Sequence, residues 1–129
     1  MELHDMALVA AGAIGSGVAV FHGVLTQRFL VRPLMRMAGK ERMPASVIRL
    51  VPALLHFSTL IWLLGGLALI AATLWFGPAA RVATIAFVGG CYVFGTLGNL
   101  WATRGRHPGW MLLGVAVVLI AFGASHVDV

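Results

Sequence analysis

Charge is what this sequence has least of. Only 10% of its 129 residues are Asp, Glu, Lys or Arg, against about 25% in a soluble domain. With 60% apolar residues and a mean hydropathy of +0.98, a water-soluble fold is excluded. Cysteine is nearly absent, and the single Cys91 excludes an intrachain disulfide. Acids are scarce and badly placed for intramembrane chemistry: Glu2, Asp5, Glu41 and Asp128 all fall in tails or a loop. The N-terminal MELHDMALVAAG carries acids where a secretory signal has Lys or Arg, so its apolar segment reads as a permanent helix. No nucleophile stands at motif spacing from a base, and there is no phosphate-binding loop. Catalysis has no visible machinery here.

Long apolar runs are what remains. A spanning helix needs about 20 mostly apolar residues, and four segments qualify: Met6 to Gln27, Leu50 to Phe76, Val82 to Thr103 and Pro108 to Ser125. The expected fold is an all-α membrane protein, one domain over residues 1–129, built as a four-transmembrane-helix bundle. Gly77-Pro78-Ala79-Ala80 and Arg104-Gly105-Arg106-His107 make tight links. The first connection is longer. Arg28, Arg32, Arg36 and Lys40 recur every four residues, which predicts an amphipathic interfacial segment between helices one and two, bent out of helix one by Pro33.

The positive side chains orient the bundle. Eight fall on the side of the first and third connections (Arg28, Arg32, Arg36, Lys40, Arg42, Arg49, Arg104, Arg106), and one, Arg81, falls on the other. The positive-inside rule puts the eight in the cytoplasm of a bacterial inner membrane, with both termini periplasmic. Trp101 and Trp110 then mark the inner boundary, Trp75 and Phe76 the outer one. Arg28, Arg32, Arg36 and Arg49 are placed to meet anionic lipid headgroups. The basic balance needs no nucleic acid.

Inside the spans the polar groups are His22, His56, Ser58, Thr59, Tyr92, Thr96 and Asn99. His22 lies about 9 Å inward of Arg28, His56 about 10 Å inward of Arg49 and Asn99 about 8 Å inward of Arg104, at 1.5 Å per residue. Three helices therefore carry a strong polar group at one level. Ala11, Gly15, Ala19 and Gly23 form a small-residue row that lets a partner helix approach. His22 lies beside that row, on the packing face. Asn99 shares a face with Tyr92. A converging layer of His22, His56 and Asn99 avoids exposing these groups to lipid.

The leading reading of that layer is structural, with neutral imidazoles bonded to Asn99, Thr59 or a carbonyl. The alternative is a ligand site of His22, His56, Asn99 and Tyr92. Two histidines at matched depth suit a haem, a metal, a proton relay or quinone contacts. No cofactor is assigned. Haem b is the one with a specific attraction, since Arg28 and Arg49 lie where propionates would emerge. His107, beside Pro108 and Trp110, reads as interfacial. His4 and His126 lie in the tails, where Asp5 and Asp128 are the metal-catching neighbours. Cys91 reads as an inert small hydrophobe near mid-membrane.

The small multidrug resistance family matches in size and span count but relies on an acid in its first helix, which this chain lacks. GTLGN, residues 95 to 99, and HFST echo fluoride-channel motifs in the wrong order. FHGVLTQRF, residues 21 to 29, followed by LLHFSTLIWLLGG, resembles the layout of small four-span bacterial inner-membrane proteins with no assigned activity. That resemblance implies the fold and no chemistry. The expected role is a non-catalytic homo-oligomer or accessory subunit of a larger membrane complex. Ligand binding at the polar layer is the alternative and a small transporter or channel the second. The outer halves of the spans are too apolar to favour a channel.

Overall fold

The computed structural model describes residues 1–40 and 43–125. Glu41, Arg42, His126 and Asp128 lie outside the described residues. The described chain is helical throughout: α1 (Leu3–Leu25), a π-helical segment (Thr26–Val31), α2 (Arg32–Ala38), α3 (Ala45–Trp75), α4 (Pro78–Thr103) and α5 (Gly109–Ala124). Three helical stretches, Leu3–Ala38, Ala45–Trp75 and Pro78–Thr103, are long and apolar enough to cross a membrane. α5 is apolar too but has only 16 residues.

The helices close into a ring. α1 packs between α3 and α5, and α4 completes the circle between the same two. Each helix turns a narrow stripe inward. In α5 the buried residues are Gly109, Leu113, Ala116, Ile120 and Gly123, alternating steps of four and three. This is the seam spacing of helices that pack side by side. Tyr92, Leu8, Leu69, Leu113 and Val88 fill the centre. The opposite faces are apolar as well and exposed, with Phe94 at 79% and Trp101 at 84%.

Small residues set the closest approaches. A Cβ at Gly12 would fall 2.6 Å from the Gly66 carbonyl oxygen, so α1 and α3 touch backbone to backbone. A Cβ at Gly15 would overlap the Tyr92 ring and hydroxyl. Ala11 and Ala19 are fully buried, and a Cβ at Gly23 would fall 2.9 Å from the Thr59 methyl of α3. Residues four apart precess by about 40° around an α-helix. The four-spaced row therefore turns from one neighbour to the next as it descends.

Several expected boundaries move. Pro33 does not break helix one. The helix runs on from Leu3 to Ala38 through the π segment. Proline lacks an N–H, and its ring clashes with the carbonyl four residues back. Here the turn before it is wider, and the Arg32 N–H bonds the Gln27 carbonyl five residues back, so the helix passes the proline without ending. The basic segment is thus a continuation of helix one, with Arg28, Arg32 and Arg36 exposed along it. α3 starts at Ala45, not Leu50, which puts Arg49 inside the helix and exposed. α4 starts at Pro78, not Val82, with proline in its first turn. Asp5 is not in a tail: it lies in the first turn of α1.

Asp5 has a partner. Arg81 Nη1 donates to Asp5 Oδ1 at 2.9 Å and Nη2 donates to the Thr73 carbonyl at 2.7 Å. One guanidinium thereby ties the start of α1, the end of α3 and the start of α4. Both charged side chains remain about a quarter exposed, so the pair contributes on the order of 1 kcal/mol.

Candidate functional site

Polar side chains gather at the other end of the ring, where α1 passes into the π segment. His22 Nε2 lies 3.3 Å from Ser58 Oγ on α3, and that hydroxyl donates to the Leu55 carbonyl at 3.3 Å. A hydroxyl has one proton to give, so Ser58 accepts from His22 Nε2–H. The neutral His22 ring then keeps a lone pair on Nδ1. One turn further along, His56 Nε2–H donates to Gln27 Oε1 at 3.0 Å. His22 also rests against Trp62, with ring centroids 4.7 Å apart and planes tilted by 54°.

The second wall comes from the α4–α5 link. Arg104 takes the left-handed conformation (φ 50°) and so does Gly105 (φ 74°). The Gly105 N–H caps α4 by donating to the Leu100 carbonyl at 3.0 Å, a glycine-assisted helix stop. Trp110 Nε1–H pins the Gly105 carbonyl at 3.1 Å. The chain turns back so tightly that His107 comes to lie over Phe21 of α1, centroid to centroid 6.3 Å. His107 Nδ1 accepts the Gly109 N–H at 3.0 Å. In the neutral ring the proton is then on Nε2, which is a donor. Asn99, on the last turns of α4, donates one amide hydrogen to the Gly95 carbonyl at 2.8 Å. Its other amide hydrogen and Oδ1 remain available.

Between these walls runs an open groove of about 590 Å³, lined by Phe21, His22, Leu25, Thr26, Phe29, Leu30, Asn99, Thr103, His107 and Pro108. It narrows inward to a cavity of about 30 Å³ that reaches Trp62 and Leu113. The narrow end has room for water and no more. The outer part is the size of an ordinary ligand site. Among the described residues no Lys, Arg, Asp or Glu lines it.

Thr26 singles itself out. Thr73, Thr84, Thr96 and Thr103 each donate to the carbonyl four residues back, at 2.6–2.8 Å. The Thr26 hydroxyl is buried, with the residue 2% exposed, and has no partner among the described residues. It stands at the first position of the π segment and on the groove wall. The Thr59 hydroxyl of α3 is likewise without a partner among the described residues.

Comparison with family models, with curated proteins and with solved structures found no match. The site is therefore read from its own geometry. His22 and Asn99 share the groove. His56 is not in its lining and bonds Gln27 instead. Tyr92 sits in the bundle centre, where its hydroxyl donates to the Trp62 carbonyl at 3.2 Å. Arg28, Arg32, Arg36 and Arg49 are exposed outside the groove. Among the described residues no three His, Cys, Asp or Glu side chains come together as a metal-holding group. Sequence reasoning missed His107, Trp62 and Thr26 as neighbours of His22. Thr26 and Trp62 carried a signal: Thr26 is four residues on from His22, and Trp62 four residues on from Ser58.

Proposed function

We propose that the chain is a four-span protein of the bacterial inner membrane, with both tails periplasmic, that binds a small amphipathic ligand in the groove beside His22. The groove's few polar side chains stand on a mainly apolar wall, which suits holding a ligand that is itself part polar and part apolar. One observation carries the reading. His22 of α1, Asn99 of α4 and His107 of the α4–α5 link line one mainly apolar groove. Such a mixture of apolar surface and a few convergent polar groups is what small-ligand sites are made of. The exposed Arg28, Arg32 and Arg36 stand beyond it, where anionic headgroups would hold the helix end at the membrane surface.

The test is mass spectrometry of the protein released intact from mild detergent. A discrete small-molecule adduct is expected. It should be lost in Thr103→Trp, which fills the groove, and kept in Val20→Trp on the exposed face of α1. Absence of any adduct, or its persistence in Thr103→Trp, overturns the reading. A Soret band in the same sample that disappears with His22→Leu would replace it with haem ligation.

The accessory-subunit reading stays as the second one, on a specific observation. In the apolar window of α4 only 17% is buried, against 33% in each of the other two long helical stretches. Phe87, Phe94, Leu97 and Trp101 are exposed on that helix. Crosslinking through cysteines placed at Phe94 and Leu97 in membranes would capture a partner helix there, and lipid alone would leave both unlinked.

A further inference from the structure

We infer that the groove takes a quinone-type ligand: a neutral ring bearing carbonyl or hydroxyl oxygens, with an apolar tail. This rests on the reading of the groove as a ligand site and names what it holds. Four observations narrow the class. Among the described residues the lining has no Lys, Arg, Asp or Glu, so an anionic phosphate headgroup would be desolvated there without a counter-charge. The polar atoms offered are of both kinds. His107 Nε2–H and the second Asn99 amide hydrogen donate, while His22 Nδ1 and Asn99 Oδ1 accept. A carbonyl oxygen suits the first pair and a ring hydroxyl the second, so both redox forms of one molecule can bind. Phe21 and Phe29 on α1 and the π segment are exposed, 52% and 70%, and both line the groove. They present flat apolar surface to a ring. Finally, Thr26 lines the groove at a π turn, a helical irregularity frequent at functional sites, and its hydroxyl is buried behind the wall with no partner among the described residues.

The ring belongs in the wide outer part, because the 30 Å³ inner end admits only water. The tail runs out over Leu25 and Leu30, along surface that is already apolar.

The experiment titrates ubiquinone with a ten-carbon alkyl tail into the full chain in lipid nanodiscs and follows the thermal midpoint. Saturable stabilisation is expected, since a ligand bound only to the folded state raises stability with concentration. Decanol, which has the tail without the ring, should give none. His107→Phe and Asn99→Leu should each weaken apparent affinity about tenfold, the loss of one good hydrogen bond. His107→Gln, which keeps an N–H at that reach, should restore most of it, and His56→Gln, outside the groove, should change nothing. The inference is overturned by equal stabilisation with decanol, by unchanged affinity in His107→Phe, or by competition from phosphatidylglycerol. If it fails while the groove-dependent adduct persists, the groove holds another class of ligand. If both fail, the site reading falls with it.

Discussion

Gly15 and Gly17 lie two residues apart on α1 and face opposite worlds. At Gly15 a methyl group would run into Tyr92, whose hydroxyl is bonded to the Trp62 carbonyl. At Gly17 nothing lies within 4 Å. Gly15→Ala is therefore expected to cost about 2 kcal/mol, from overpacking and the strained Tyr92 hydrogen bond. Gly17→Ala should be neutral or stabilising by up to about 1 kcal/mol, because alanine favours helix. Thermal unfolding in detergent distinguishes them, and equal effects would mean that the Tyr92 contact is not formed. Gly15 was legible in the sequence, as part of a row spaced by four. What it meets was not, because Tyr92 reads as one more polar group near Asn99. The site shows the same limit. His22 could be placed on a packing face from its spacing to Val18, Gly15 and Ala11. His107 could not, since its approach to Phe21 depends on two left-handed residues, Arg104 and Gly105, that fold the link back.

Helix ends were the least legible elements, for a physical reason. Apolar runs locate the part of a helix in contact with hydrocarbon, while the backbone stays helical well into the headgroup region, where charges are welcome. Arg49 and Arg81 bound apolar runs and yet lie inside α3 and α4. The π segment is the other departure, and it has a testable cause. With alanine at position 33 an N–H is available and the ring clash is gone, so the regular four-residue ladder can re-form through Thr26–Val31. Pro33→Ala is expected to slow amide hydrogen exchange across those residues relative to the parent. The same change should let the Thr26 hydroxyl donate to the His22 carbonyl, as four other threonines do to theirs. Unchanged exchange would place the cause of the π turn in the packing against α3, not in the proline.

For the whole molecule the open quantity is the number of crossings, and α5 decides it. Its 16 residues extend about 24 Å, less than the roughly 30 Å hydrocarbon core. Length alone would leave it short. Its packing argues otherwise: Leu113, Ala116 and Ile120 are buried in the ring, and α5 lies against both α1 and α4. A shorter helix is accommodated by local thinning of the bilayer, at fractions of a kcal/mol per Å, whereas leaving α5 out would expose the seam of α1 that it covers. At the far end the Ser125 hydroxyl donates to the Phe122 carbonyl at 2.7 Å, which satisfies one of the carbonyls a helix terminus leaves open. We therefore expect α5 to cross. Reporter fusions after residues 40, 79, 106 and 125 should read cytoplasmic, periplasmic, cytoplasmic and periplasmic, following the eight-to-one distribution of positive side chains. A cytoplasmic reading after residue 125, with the other three as stated, would reduce the protein to three crossings. It would also lift α5 out of the ring and remove one of the groove's walls.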